Sequence, residues 1–318
     1  MRFRMHARTL LLAATLVGTV VAGAPVPSIR ASGAGPAQAT VAGATPTPVL
    51  TPDSTPSPVL TASPVLTASP VPTVTASRAL APPPAALNLY RASGFRYQDP
   101  SYVACTAASV MDILNFMALG GYGGAGFRWH VSLASSTRDA VLAWERAHDT
   151  LAPTSAGSDP HGIRNALNHY GWGDATLVAG KRVYEDMAFG SFATAVRTAV
   201  RQMILTRKPV VVIGWAGRHA QMMTGYYGLV GNPFAKLANG TWANTFTIAG
   251  IYFSDPLRSD HMVNIRVSWN AFRTSPNLKL RFRAYRETDS PYDDRYTPGT
   301  VISRTEWYGR LVLVVPVR

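Results

Sequence analysis

The feature that limits the fold most is a long stretch, residues 40–87, that cannot form a hydrophobic core. It consists almost entirely of Pro, Thr, Ser, Ala, Val and Leu, and its only charged residues are Asp53 and Arg78. The hexapeptide Ser-Pro-Val-Leu-Thr-Ala occurs at 57–62 and again at 63–68. A repeat of this length is too short for a solenoid unit, and frequent proline favours an extended chain. We therefore expect a disordered Pro/Thr/Ser/Ala-rich linker at 40–87 and a folded domain at 88–318.

The residues before this linker have the pattern of a secretory signal. Arg2, Arg4 and Arg8 give a positive start, and an apolar run follows from Leu10 to Ala24. A membrane-spanning helix needs about 20 apolar residues, so this run is typical of a cleaved signal. Residues 1–39 are therefore predicted to be a signal peptide with its cleavage region. The chain is expected to be secreted or associated with the cell surface, with no transmembrane segment after cleavage.

The chain is strongly basic, with a formal net charge of +13. Because the linker is almost uncharged, most of this charge belongs to residues 88–318, and Lys279, Arg281 and Arg283 concentrate part of it. A basic surface favours acidic partners, and an anionic cell-surface polymer is one candidate. The charge is dispersed, and the sequence has no zinc-finger, helix-turn-helix or RNA-binding motif. No nucleic-acid partner is therefore expected.

Apolar periodicity predicts helices in the first part of the domain and strands in the second. The predicted helices are Thr106–Leu119, Arg138–His148, Gly162–Tyr170 and Ser191–Thr206. The predicted strands are Val210–Trp215, Gln221–Tyr227, Thr245–Ser254, Met262–Ser268, Leu278–Tyr285 and Leu311–Val317. Helices followed by strands indicate an α+β domain, in which a helical half packs on an antiparallel sheet.

Cys105 is the only cysteine in the chain. Exported proteins usually pair their cysteines, so an isolated one can fill the core, join two chains through a disulfide, or act as a reactive thiol. Its position just before the first turn of a predicted helix favours a thiolate, because free backbone N–H groups and the positive end of the helix dipole lie there. A disulfide-linked dimer would be visible on a non-reducing gel. We expect a monomer.

A nucleophilic thiol also needs a base, a group that orients the base, and a donor to the oxyanion. His219 is the candidate base, because it follows a buried strand and a short loop and directly precedes the apolar run Ala220–Tyr227. Asp255, at the end of a predicted strand, is the candidate orienting group. Gln98, in a polar turn before Cys105, is the candidate oxyanion donor. The other histidines of the domain have ordinary helix, turn or strand-start contexts: His130, His148, His161, His169 and His261.

Four stretches of the sequence resemble the C39-like peptidase family of papain-like cysteine proteases. They are Gln98 through Cys105-Thr106-Ala107-Ala108-Ser109, then Gly162–Asn168, then Lys208-Pro209 through His219-Ala220, and Phe253-Ser254-Asp255-Pro256. The resemblance extends over residues 90–318 and implies a papain-like fold. It also implies four roles: Cys105 as nucleophile, His219 as base, Asp255 as orienting residue and Gln98 as oxyanion donor. The implied reaction is hydrolysis of a peptide or protein substrate, with no metal or other cofactor.

The sequence departs from the family at Thr106-Ala107, where Gly-Pro is usual. This difference leaves a second function open, in which the domain binds a cell-surface peptide or an anionic polymer and catalyses no reaction. The reactivity of the thiol distinguishes the two. A catalytic thiolate is alkylated rapidly at about pH 6, whereas an inert buried thiol reacts only after unfolding.

Overall fold

The computed structural model describes residues 82–151, 157–276, 278–283 and 306–318. The predicted signal peptide and almost all of the predicted linker lie outside these residues. The described α-helices are α1 Cys105–Gly120, α2 Ser135–Ala147, α3 Pro160–Trp172, α4 Phe192–Thr206 and α5 Trp269–Thr274. The described strands are β1 Ala86–Asn88, β2 Tyr184–Phe189, β3 Val210–Gly214, β4 His219–Tyr227, β5 Gly250–Ser254, β6 Ile265–Ser268 and β7 Leu311–Pro316. None of the described helices has the length and apolarity that a membrane span requires.

The described strands form one sheet in the order β2-β7-β3-β4-β5-β6, and β1 pairs with β4 beside this path. Each of these pairings is antiparallel. The predicted α+β class with an antiparallel sheet is therefore confirmed. β1 pairs Ala86 with Tyr227 and Asn88 with Gly225, so sheet pairing begins before residue 88, where the folded domain was predicted to start.

Helices cover both faces of the sheet. Along β3, Val211 and Ile213 belong to one apolar core and Val210 and Val212 to the other, because successive side chains of a strand point to opposite faces. The first core contains residues of α1, α2 and α3, and the second contains residues of α4 and α5. The helices therefore do not form a single half on one side of the sheet.

α1 is the central helix of the first core and is buried from Cys105 to Met117. It packs directly on β4, where the Ser109 hydroxyl donates a hydrogen bond to the carbonyl oxygen of Ala220 at 3.2 Å. The helix ends before Gly121, whose φ of 65° lies in the left-handed region that glycine adopts without strain. This arrangement fixes the first residue of α1 against the beginning of β4.

Several predicted boundaries were wrong, and two of the differences concern the candidate site. α1 begins at Cys105 and β4 begins at His219, so each of these residues is the first of a rigid element. β5 begins at Gly250 rather than at Thr245. β6 begins only at Ile265, because Asn264, directly before it, has a φ of 51° and leaves the extended conformation.

The predicted strand Leu278–Tyr285 is wrong for the residues described. Residues 278–283 make a single bridge, between Arg281 and Leu311, and residues 284 and 285 lie outside the described part. Lys279 has a φ of 39°, which interrupts an extended chain. The carbonyl oxygens of Leu278 and Lys279 accept hydrogen bonds from the N–H groups of residues 215 and 216, each at 2.8 Å. The stretch therefore supports the loop that precedes His219.

Candidate active site

Three elements bring Cys105, His219 and Asp255 together. Cys105 begins α1, His219 begins β4, and Asp255 follows β5. β4 and β5 are antiparallel neighbours with Met222 opposite Ser254, so the end of β5 lies beside the beginning of β4. All three residues are buried, although Cys105 keeps 7% of its surface exposed. The register of the sheet therefore explains how a histidine and an aspartate that are 36 positions apart meet.

His219 contacts the other two residues through its side chain. Its Nε2 lies 2.7 Å from Oδ1 of Asp255, and the side chain of Cys105 is close enough to the imidazole to raise its pKa. Because Nε2 is occupied by the carboxylate, Nδ1 is the ring nitrogen that remains for the thiol. The ring of Trp215 stacks on the imidazole, with 4.1 Å between centroids and 26° between planes. The plane and the two hydrogen-bonding directions of the base are thus fixed.

The pKa of His219 is raised to about 10. Burial alone would lower this pKa, but the hydrogen bonds and the negative charges of Asp255 and Cys105 together outweigh burial. His219 is therefore protonated at neutral pH. A protonated imidazole against a thiol at the start of a helix is the setting that favours a thiolate–imidazolium pair.

This raised pKa predicts a pH dependence of folding. Because the pKa is higher in the folded chain than its ordinary value of 6.5, protonation of His219 stabilises the folded state below about pH 6.5, and this contribution is lost as the pH rises through about 10. We expect the free energy of unfolding in urea to fall over that range. The fall should be smaller in His219→Gln. Equal falls in the two proteins would show that His219 is not held protonated by the fold.

Asp255 is held by several donors besides His219. Its Oδ1 also accepts the backbone N–H of Leu257 at 2.7 Å, and its Oδ2 accepts Nε2 of Gln221 at 2.5 Å. Gln221 was not predicted from the sequence. It lies two residues after His219 on β4, so the two side chains share a face of the strand. That alternation is the sequence signal by which Gln221 could have been found.

A second carboxyl group lies beside Asp255. Asp260, in the 3₁₀ turn Arg258–Asp260, is close enough to Asp255 for the two carboxyl groups to affect each other's charge. Burial, and then the negative charge of Asp255, raise the pKa of Asp260, although the nearby charge of His219 lowers it. A raised pKa favours the protonated carboxyl, which can donate to the Asp255 carboxylate. Asp260 was also not predicted, because nothing in the sequence indicates that the turn folds back on Asp255.

Gln98 is buried, in a turn that is tied to the segment after Asp255. Its backbone N–H donates to the carbonyl oxygen of Pro256 at 2.9 Å, and the next residue, Asp99, pairs with Arg258 at 2.7 Å. The side-chain Nε2 of Gln98 donates to the carbonyl oxygen of Ser101 at 3.2 Å. An amide nitrogen has two hydrogens, so one remains for a further acceptor. The role of oxyanion donor stays a prediction.

Thr106 uses its hydroxyl within the fold. Its Oγ1 donates to Oε2 of Glu145 in α2 at 2.6 Å, and both groups are buried. Thr106 therefore connects the first turn of α1 to a neighbouring helix. Glu145 was predicted to lie on a helix but was not predicted to contact the site.

Three other histidines have different surroundings. His148 and His169 both stack on the ring of Trp144, with 3.7 and 4.3 Å between ring centroids. His161 lies 3.7 Å from Asp186 and next to the ring of Trp307. His219 is the histidine that the structure joins to Cys105. No family model, curated protein or solved structure matches this chain.

Proposed function

We propose that residues 88–318 form a papain-like cysteine peptidase domain of the C39-like type that acts outside the cytoplasm and cleaves an amide bond in a peptide or protein. The observation that supports this most is the contact of His219 with both Asp255 and Cys105 at the start of a buried helix. The chain order Cys, His, Asp agrees with the family that the sequence resembles. The purified chain should degrade a mixed peptide library, and iodoacetamide should stop the reaction. Binding of the library without cleavage would favour the non-catalytic alternative.

The first chemical step is attack of the Cys105 thiolate on the carbonyl carbon of the scissile amide. A C–S bond forms, and the π electrons of the carbonyl move to its oxygen. The backbone N–H of Cys105 is available to this oxyanion, because N–H groups of a first helical turn have no helical acceptor. The free hydrogen of the Gln98 amide is the proposed second donor.

The second step releases the amine. The C–N bond breaks while Nδ1 of His219 gives its proton to the leaving nitrogen, which leaves a thioester on Cys105. His219 then takes a proton from water, and the resulting hydroxide attacks the thioester. Collapse of that intermediate releases the carboxylic acid and restores the thiolate beside protonated His219. Asp255 keeps the imidazole in one tautomer and orientation throughout.

A basic pocket supports an acidic partner. The pocket has a volume of about 420 Å³, and four cations line it: Arg273, Lys279, Arg281 and Arg283. Ala216 also lines it, and the carbonyl oxygen of Ala216 accepts the backbone N–H of Arg283 at 2.9 Å. Since Ala216 belongs to the turn that leads into His219, the pocket adjoins the loop that carries the base. Carboxylates of an acidic peptide substrate are the groups that it would attract. An anionic cell-surface polymer is the corresponding ligand in the non-catalytic alternative.

Neutralising two of these cations should weaken the binding of acidic substrates. For Arg273→Gln/Arg281→Gln we expect the KM of a Glu-containing peptide to rise about tenfold at low salt, and the KM of the same peptide with Gln to stay within about twofold. The matched control is Lys181→Gln/Lys236→Gln, which removes the same charge at exposed positions outside the pocket. An equal rise in KM for both double variants would show that only the net charge matters.

A further inference from the structure

Helix α2 carries two buried ionisable side chains, and both contact the candidate active site. Arg138 and Glu145 lie on one face of the helix about two turns apart, with Val141 and Leu142 between them on the same buried face. Burial of an ionisable group costs free energy unless the group has partners. The partners of these two residues therefore indicate what they do.

Arg138 contacts the turn that contains Gln98. Its Nη1 donates to the backbone carbonyl oxygens of Gln98 and Asp99, at 2.6 and 2.7 Å. The remaining donors Nε and Nη2 contact Oδ1 of Asp139 at 3.0 and 2.7 Å. One guanidinium nitrogen thus holds both carbonyls of the turn, and the neighbouring carboxylate holds the guanidinium in place.

Glu145 contacts the first turn of α1 through Thr106, the residue after the candidate nucleophile. The two side-chain contacts that usually stabilise a first helical turn do not occur in α1. Ala104 at the N-cap provides no capping hydrogen bond, and the first turn contains no acidic residue. The backbone of Glu145 is itself closely packed, since a Cβ atom at Gly162 would lie 3.0 Å from its carbonyl oxygen. The hydrogen bond from Thr106 holds the carboxyl group of Glu145 against the first turn of α1.

The surroundings of Glu145 favour its neutral form. The groups that face it are Cys105 in α1, Asp149 after α2, and Asp159 and Tyr170 at the two ends of α3. Burial, and then the negative charges of Cys105, Asp149 and Asp159, raise the pKa of Glu145 well above its ordinary value, although the hydrogen bond from Thr106 lowers it. Its Oε1 is buried without a partner, which a neutral carboxyl tolerates better than a carboxylate. A neutral acid holds Thr106 without placing a second negative charge beside the thiolate.

We propose that α2 is a positioning helix for the active site, in which Glu145 fixes Cys105 through Thr106 and Arg138 fixes Gln98 through the carbonyls of its turn. The inference rests on the proposed peptidase function. Neither residue touches the reacting atoms, so both are positioning residues. The two contacts predict separable effects, because the thiolate takes part in alkylation and hydrolysis alike, whereas the oxyanion donor takes part only in hydrolysis.

The Glu145 contact is tested by the rate at which iodoacetamide alkylates Cys105 in the folded full chain, measured from about pH 5 to about pH 8. Glu145→Gln keeps a neutral hydrogen-bonding group of the same length, and we expect its rate to stay within about threefold of the wild type at each pH. Glu145→Ala should lower the rate about tenfold and move the midpoint of its pH profile. Thr106→Val removes the same hydrogen bond from the other side and should reproduce the change if Glu145→Ala does not fold.

The outcomes of this experiment are distinct. A wild-type Cys105 that reacts no faster in the folded chain than in the unfolded chain would overturn the proposed function. A fast wild type together with equally fast Glu145→Ala or Thr106→Val would overturn only the positioning role. The positioning role would also be overturned if Glu145→Gln lowered the alkylation rate as much as Glu145→Ala does, because the glutamine keeps the hydrogen bond with Thr106.

The Arg138 contact is tested by comparing hydrolysis with alkylation. Arg138→Lys keeps the charge but loses the planar donor group that holds the turn. We expect kcat for a cleaved library peptide to fall about tenfold, with KM within about twofold and the alkylation rate of Cys105 unchanged. Gln98→Ala should make the effect of Arg138→Lys on kcat disappear, since the two residues act through one contact. Additive losses in the double variant, or a slower alkylation in Arg138→Lys, would contradict the role.

Discussion

Cys105→Ala is expected to abolish amide hydrolysis, with a fall in kcat of at least about 10⁴-fold. The chain contains no second cysteine that could replace the nucleophile, and removal of one member of a catalytic triad typically costs this much. Alanine has a high helix propensity, so α1 should be retained. Circular dichroism and the midpoint of thermal unfolding check that the variant is folded. A folded Cys105→Ala that still cleaves peptides at the wild-type rate would eliminate the proposed mechanism.

His219→Ala is expected to lower kcat by about 10³- to 10⁴-fold and to slow the alkylation of Cys105 at about pH 6. The reason is that His219 both supplies the proton for the leaving amine and stabilises the thiolate. The matched control is His130→Ala, because His130 is an exposed histidine of the same domain and should have wild-type kinetics. If His219→Ala kept fast alkylation but lost hydrolysis, the imidazole would act only as a proton donor. The proposed thiolate–imidazolium pair of Cys105 and His219 would then be ruled out.

The sequence was sufficient to propose Cys105, His219 and Asp255 because each has a local signal. Cys105 is unpaired and precedes an apolar helix, His219 precedes an apolar strand, and Asp255 ends one. The structure brings these residues together through one helix and two neighbouring strands. The chain order and the strand contexts therefore indicated which three residues belong to one candidate site. The contact between His219 and Asp255 depends in addition on the register of β4 and β5.

The residues that support the site carry weaker sequence signals. Gln221 contacts Asp255 across two strands, and Glu145 contacts Thr106 across two helices. In both cases the sequence shows only that a polar residue lies in a strand or a helix. Which partner such a residue finds depends on strand register and on helix packing, and neither follows from local periodicity.

The fold was predicted most accurately where apolar periodicity is strong. α4 and β3 begin and end close to the predicted residues, whereas β2 was missed because Glu185 and Asp186 interrupt its apolar pattern. β2 is a half-buried strand at the end of the sheet and pairs only with β7 in the described order. Edge strands tolerate charged residues, so their sequences carry a weaker signal than those of central strands.

The central claim is that Cys105 is a thiolate activated by His219, and the rate of its alkylation tests this most directly. Iodoacetamide should be added at about pH 6 to the folded chain and to the same chain unfolded in urea, and the modified Cys105 should be quantified by mass spectrometry. An ordinary thiol is almost fully protonated at that pH. We predict that Cys105 reacts at least about tenfold faster in the folded chain than in the unfolded chain. A slower reaction in the folded chain would identify Cys105 as a buried, inert thiol and would contradict the proposed function.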